Sequence, residues 1–279
     1  MPTAKIWVGM TLLSALVAPP VGAELAVPPS RDNTLFEEFA QQEGCSASTS
    51  NGAGRYLFSG FTNTGLERRA VLRFDLGAIP AGSTITAATV TLHLNRVASG
   101  AAPDDRFGLR RLIADWGEGT SDGGSAEGGG GPATANDATW CERFYQVSEW
   151  ASLGGDFVSP ASATIAVGTA APASFVWGST ADMVADVQSW VDAPATNFGW
   201  ILIQDLLPPP LDEPEGAVAT ARRFDSREGV AAVQPRLEVT YLPPSVVEIP
   251  ALSFWGLVLL AGLLLAGAIR AMRSLARAR

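Results

Sequence analysis

The stretch from Thr84 to Val97, TITAATVTLHLNRV, constrains the fold most. Val90, Leu92 and Leu94 point one way, while Thr89, Thr91, His93 and Asn95 point the other. A strict period of two is the signature of a strand with one buried face. A single strand cannot bury that face alone, so partners are required. The segments Arg69 to Leu76, Phe107 to Ile113, Thr164 to Val167, Trp200 to Gln204 and Arg236 to Tyr241 read the same way. Turn sequences such as Ile79-Pro80-Ala81-Gly82 separate them. Many short strands at such spacing predict an all-β sandwich or barrel.

One segment departs from this period. After Ser179 or Thr180, either able to cap a helix, Met183, Val184, Val187, Trp190 and Val191 form a single helical stripe, and Pro194 ends it. The apolar stripe predicts a short helix packed on the sandwich core. Residues 117–131 hold 8 glycines among 15 residues and read as a loop, as does the acidic, proline-rich 208–215. The glycine run has no basic residue and no GxxxxGK[ST] pattern, so a phosphate cradle is excluded.

The two ends read as addresses. Residues 1–23 combine Lys5, an apolar run from Ile6 to Ala18, and Val21-Gly22-Ala23 before Glu24. This predicts a secretory signal peptide cleaved after Ala23. Residues 251–269 carry no charge and are followed by Arg270, Arg273, Arg277 and Arg279. At 1.5 Å per residue, such a helix spans ~28 Å and predicts a transmembrane anchor with a cytoplasmic Arg-rich tail. The predicted domains are therefore 1–23, 24–243 and 244–279.

Between these ends lie all 28 carboxylates and 14 of the 19 basic groups, a net charge of about −14, and every one of those 14 is Arg. So acidic a middle excludes bulk electrostatic binding to nucleic acid or an anionic lipid surface. It also argues mildly against polyanionic glycans unless a cation bridges the like charges.

Two resemblances sharpen these expectations. Ile249-Pro250-Ala251-Leu252-Ser253-Phe254-Trp255-Gly256 resembles the Ile-Pro-Thr-Leu-x-x-Trp-Gly sorting signal (IPTL-CTERM type) of Gram-negative bacteria. Ile249, Pro250, Leu252, Trp255 and Gly256 match, and Ala251 replaces the Thr. The resemblance implies an exosortase-like sorting enzyme as partner and delivery to the cell surface or extracellular matrix.

The middle resembles the DNRLRE-type jelly-roll modules of secreted proteins, some of which are classed as carbohydrate-binding modules. The matching pieces include Asp32-Asn33-Thr34-Leu35, the stretches from Arg69 to Leu76 and Ile79 to Thr86, and Asp115-Trp116-Gly117-Glu118-Gly119-Thr120. They continue through Asp137-Ala138-Thr139-Trp140, Val187-Gln188-Ser189-Trp190, Asn197-Phe198-Gly199-Trp200, Phe224-Asp225-Ser226-Arg227-Glu228 and Pro235 to Tyr241. The Gly-rich insertion between Trp116 and Trp140 departs from the compact form. The resemblance implies a jelly-roll β-sandwich and, for some members, glycan binding.

Several residues are candidates for chemistry. Cys45 and Cys141, an even count in an exported chain, favour a disulfide. His93 is the only histidine, so a Ser-His-Asp triad or Cys-His pair is hard to assemble. Asp104, Asp105, Asp115, Glu118 and Asp137 supply the hard oxygen ligands that calcium prefers. They could also supply a carboxylate pair for glycoside hydrolysis, with solvated acidic loops as the plainer reading. Trp116, Trp140, Phe144, Tyr145 and Trp150 flank the loops and form the candidate sugar-stacking cluster. Trp177, Trp190 and Trp200 read as core. The expected function is a non-catalytic module binding extracellular polysaccharide. The alternatives are a structural or adhesive matrix protein and a polysaccharide lyase or hydrolase.

Overall fold

A computed structural model describes residues 22–38, 45, 47–101, 105–205, 219–244 and 254–277. The chain forms two compact units, Met1–Pro244 and Ser245–Arg279. The first is built almost entirely of antiparallel strands.

Its elements run in order as β1 (Ala23–Val27), β2 (Pro29–Phe36), β3 (Thr49–Ser50), β4 (Tyr56–Phe61), β5 (Glu67–Phe74), β6 (Thr84–Val97) and β7 (Asp105–Arg111). Then come β8 (Gly131–Pro132), β9 (Glu142–Phe144), β10 (Ser148–Glu149), β11 (Ala163–Val167), β12 (Ala173–Gly178) and helix α1 (Ala181–Asp192). A 3-10 turn (Pro194–Thr196) leads to β13 (Trp200–Gln204), β14 (Arg222–Asp225) and β15 (Arg236–Leu242).

The main sheet follows the order β1-β15-β6-β14-β4-β5-β13-β7-β11, with β12 added on β6 and β2 on β5. It curls over at β4, which pairs with β14 on one side and β5 on the other. The curl brings the two halves face to face over one core, as in a sandwich. That core takes Leu57, Leu72 and Phe74 from β4 and β5, and Val90, Leu92 and Leu94 from β6. Phe107, Trp177, Trp200 and Phe224 add the aromatic bulk.

The predicted strand 84–97 coincides with β6, and its alternation is realised in full: Val90, Leu92 and Leu94 are buried while Thr91, His93 and Asn95 are half-exposed. Such a long strand serves several partners. Its edges carry β15 (Val239↔Ala88), β12 (Phe175↔Leu92) and β14 (Arg223↔Arg96).

The predicted helix is α1. Thr180 is its N-cap, the hydroxyl accepting from Met183 N–H at 3.1 Å, which satisfies one orphan donor of the first turn. Met183, Val187, Trp190 and Val191 are buried in the main core. Asp186, on the same helix, ties it to the sheet. It accepts from Ser162 Oγ (2.6 Å) and Trp200 Nε1 (2.9 Å) and pairs with Arg111 at 3.0 Å. Gly199 turns the chain from the helix into β13 with φ +79°, and a Cβ there would stand 1.9 Å from Leu72 O. Only glycine fits that approach.

The three strands β2, β5 and β13 are buried on both faces. Val71, Ile201, Ile203 and Leu35 turn away from the main core and support a second cluster. Leu112, Trp116, Ala138, Trp140, Cys141 and Trp150 complete it from the long segment after β7. The Cys45–Cys141 disulfide, with Cα atoms 5.5 Å apart, closes this layer.

In the second unit, α2 spans Phe254–Ala276. The sequence predicts a membrane-crossing helix over 251–269; among the described residues no helix is long and apolar enough to cross a membrane. The uncharged run inside α2 is 254–269, which at 1.5 Å per residue covers only ~24 Å before Arg270. Residues 251–253, which lengthened the predicted span, lie outside the described residues, as do Ile249, Pro250 and residues 1–21 of the predicted signal peptide 1–23. Trp255 and Gly256 fall in α2.

Candidate functional site

Among the described residues, the carboxylates predicted as a calcium set do not form one cluster. Asp104 lies outside the described residues. Asp105 pairs with Arg222 at 3.1 Å. Asp115 stands between Arg31 and Arg73, 3.4 Å from each. Asp137 is fully buried and folds the Gly-rich loop, accepting from Thr134 N–H (2.5 Å) and Thr134 Oγ1 (2.9 Å). Short-range hydrogen bonds of this kind satisfy a buried carboxylate.

Glu118 alone enters a carboxylate cluster, with Asp32 and Glu228, whose oxygens lie within 4.8 Å of one another. The sequence reading did not place Asp32 or Glu228 in a site. They stand 196 positions apart, and no local pattern joins them. Arg227 occupies the middle of the group. Its Nε and Nη2 donate to Glu118 at 2.6 and 3.0 Å, its Nε lies 2.8 Å from Glu228, and its backbone N–H donates to Asp32 Oδ2 at 2.8 Å. Asp32 N–H closes the ring by donating to Glu118 Oε1 at 2.8 Å.

Three carboxylates around one guanidinium leave an excess of negative charge. Burial, reinforced by the charge of Glu228, lifts the Asp32 carboxyl well above its ordinary value. Burial raises Glu228 too, against the pull of Arg227. For Arg227, burial opposes the charged form, but the Glu118 hydrogen bonds and the surrounding carboxylates outweigh it and raise its pKa. Three such oxygens could hold a divalent cation. The Arg227 guanidinium bridges Glu118 and Glu228, its backbone N–H holds Asp32, and Asp32 is 1% exposed, so the cluster reads as a pin between β2, the Gly-rich loop and the turn after β14.

The aromatic cluster is corrected more sharply. Trp116, Trp140 and Trp150 are at most 5% exposed and belong to the second core, so they offer no face to a sugar. Trp116 Nε1 donates to Phe198 O and Trp150 Nε1 to Thr139 O, both at 2.9 Å. The Arg69 guanidinium covers the Trp140 ring at 4.6 Å. Phe144 and Tyr145 are half-buried, and Arg143 stands 5.6 Å from the Phe144 ring. One sequence signal pointed this way: Trp140 adjoins Cys141, and a disulfide is usually buried beside what packs on it.

Open surface with chemistry lies elsewhere. Cross-strand register sets Arg223 of β14 beside Arg96 of β6 and Phe58 of β4. The Arg223 guanidinium lies 3.9 Å over the Tyr56 ring, and its Nε donates to Asn95 Oδ1 at 3.1 Å. Next along the face, His93 Nδ1 and Asp225 Oδ2 are 2.6 Å apart. A groove of about 440 Å³ runs here, lined by Phe58, Arg68, Arg96, Arg222 and Arg223 among others. Arg222 is paired with Asp105. Among the described residues, no carboxylate lies within 4 Å of Arg68, Arg96 or Arg223. Arg68 is largely buried; its Nη1 donates to the Glu37 and Glu67 carbonyls, and burial lowers its pKa despite Glu37 and Glu38 nearby. An acidic chain thus gathers four arginines along one groove.

A larger cavity, about 650 Å³, opens between the end of β5, the Ile79–Ala81 turn and the end of α1. Compared with known proteins, the chain matches no family model and no curated protein sequence.

Proposed function

We propose that this chain is an exported, non-catalytic jelly-roll module of the DNRLRE type that binds an acidic extracellular polysaccharide in the groove across β4, β14 and β6. The observation that carries the reading is the set Arg68, Arg96 and Arg223 lining the groove, with no carboxylate within 4 Å of them among the described residues. Guanidinium forks suit sugar carboxylates or sulfates, and the groove focuses their field although the chain as a whole is acidic. Tyr56, half-buried, lies under the Arg223 guanidinium and helps to hold it in place.

The N-terminal apolar segment directs export, and the Ile249–Gly256 tail addresses the chain to an exosortase-like enzyme and the surface of a Gram-negative cell. The buried Asp32 cluster offers no open cleft of the kind a lyase or hydrolase needs.

The test is retention of the full-length chain on immobilised polyuronate and on a neutral glucan. Retention on the polyuronate, weakened by salt and lost in Arg96→Ala/Arg223→Ala, supports the reading. Equal retention of that folded double variant sinks it and favours an adhesive or structural role. Release of reducing ends from the polymer would instead make the chain an enzyme.

A further inference from the structure

Beside the arginine groove, the outer face of the sheet carries a linked row of polar side chains. His93 and Asn95 of β6 are half-exposed on that face, and β14 brings Arg223 and Asp225 next to them. The register between the two strands shifts here. Arg223 pairs with Arg96 and Phe224 with Leu94, so Asn95 is the residue left over. Such a bulge releases a residue from the ladder and re-aims its side chain. Asn95 joins the two ends of the row. Its Oδ1 accepts from Arg223 Nε at 3.1 Å and from Nη2, and its Nδ2 stands 3.5 Å from Asp225 Oδ1. Asp225 Oδ2 is in turn 2.6 Å from His93 Nδ1.

These bonds fix what each end of the row offers. Arg223 can only donate, which assigns the Asn95 oxygen to it and the Asn95 nitrogen to Asp225. A carboxylate only accepts, so the proton of the neutral imidazole sits on Nδ1 and Nε2 presents its lone pair. Among the described residues Nε2 has no partner and is not one of the buried unsatisfied atoms, so it faces solvent, on a side chain 20% exposed. The same is true of Arg223 Nη1, because Nε and Nη2 are spent on Asn95 and the Tyr56 ring lies beneath the guanidinium. One open atom is a cationic donor and the other a neutral acceptor. Alternate residues of a strand lie about 7 Å apart, so an arginine bound to Asn95 and the ring of His93 address neighbouring groups of one ligand.

We infer that His93 is a specificity-determining contact of the glycan site: with a sugar carboxylate on Arg223 Nη1, His93 Nε2 accepts a hydroxyl proton from the same or the next sugar residue. The inference rests on the acidic-polysaccharide reading above and narrows it. A fully sulfated chain satisfies the arginine and leaves the acceptor idle. A uronate carries both the carboxylate and free hydroxyl donors. O-acetylation removes those donors and keeps the charge, so the row distinguishes bare polyuronate from its acetylated form.

The test is a titration of the full-length chain with an oligouronate and with the same oligouronate O-acetylated. The chain has one histidine, so its imidazole nitrogens in long-range ¹H–¹⁵N spectra are identified at once. The bare oligouronate is expected to move the Nε2 signal. The acetylated form is expected to bind about tenfold more weakly and to leave that signal in place. In His93→Phe the preference should fall to about twofold or less, while salt-sensitive binding persists. That variant takes a partner from Asp225. Should it unfold, Ser174→Trp replaces it, an exposed position directly opposite His93 on β12, where the indole is expected to crowd Nε2 and weaken binding of the bare oligouronate about tenfold. The inference is overturned if the oligouronate binds without moving the Nε2 signal, if the acetylated form binds equally well, or if a folded His93→Phe keeps the full preference. No binding of either form by the wild-type chain overturns the groove and His93 together. Binding that is lost in Arg96→Ala/Arg223→Ala, with an Nε2 signal that never moves, sinks His93 alone.

Discussion

Arg227 grips Glu118 with two nitrogens, Nε at 2.6 Å and Nη2 at 3.0 Å, and so joins the turn after β14 to the Gly-rich loop 109 positions away. The guanidinium stands where a bridging cation would stand. Millimolar calcium is therefore expected to leave the thermal melting point of the wild-type chain unchanged. Arg227→Gln should cost about 1–3 kcal/mol, because it leaves Asp32, Glu118 and Glu228 facing one another. In that variant calcium should restore part of the loss. Thermal melts with calcium and with chelator check this; a clear calcium shift in the wild type contradicts it.

Asp32 and Glu228 both hold protons more tightly in the folded chain than ordinary carboxyls do. Their contribution to stability is thus fully present below the ordinary carboxylate range, near pH 4, and is lost as pH rises through their elevated folded values. Urea midpoints measured from pH 4 upward should carry a declining component from this cluster. Asp32→Asn, which keeps an oxygen for the Arg227 N–H, should flatten that component and raise stability at neutral pH. An unchanged pH slope in the variant would falsify the assignment.

The Cys45–Cys141 bond closes a sequence separation of 96 residues. In the chain-entropy view it stabilises by up to ~4.7 kcal/mol. Reduction, or Cys45→Ser, should lower the denaturation midpoint by a comparable amount and loosen the layer containing Trp116, Trp140 and Trp150. Loss of protection of the Trp150 indole N–H in hydrogen exchange is the local readout.

Trp140 is 4% exposed, so Trp140→Ala should cost about 3–5 kcal/mol through the cavity it leaves. Tyr145, which is half-buried, should tolerate Tyr145→Ala with a loss nearer ~1 kcal/mol. Denaturant titration of both variants decides between core and surface. A Trp140→Ala chain of normal stability that loses glycan retention would restore the surface reading.

Much of the sandwich was legible because its strands have one wet face. The period of two from Thr84 to Val97, and the capped stripe from Thr180 to Val191, gave β6 and α1 almost residue for residue. Strands with two buried faces were harder. In β4, Leu57, Phe58, Ser59 and Gly60 are all buried, and the alternation that marks a strand disappears. β14 begins with Arg222, which is fully buried and bound to Asp105, so a polar segment hides a core strand.

The site was less legible for a related reason. Trp116, Trp140 and Trp150 border a polar, glycine-rich segment and resemble surface aromatics, until a second layer folds over β5 and β13 and buries them.

β15 lies between β1 and β6, antiparallel to both, and the chain runs directly from its end towards residue 245. A pull on the residues after Leu242 therefore enters along the strand axis. It loads the backbone bonds to Ala23–Val27 on one side and to Thr84–Thr91 on the other together, in shear, where an edge hairpin would peel one bond at a time. Force applied to the chain beyond β15 would thus be met at a seam of the sheet arranged to bear it.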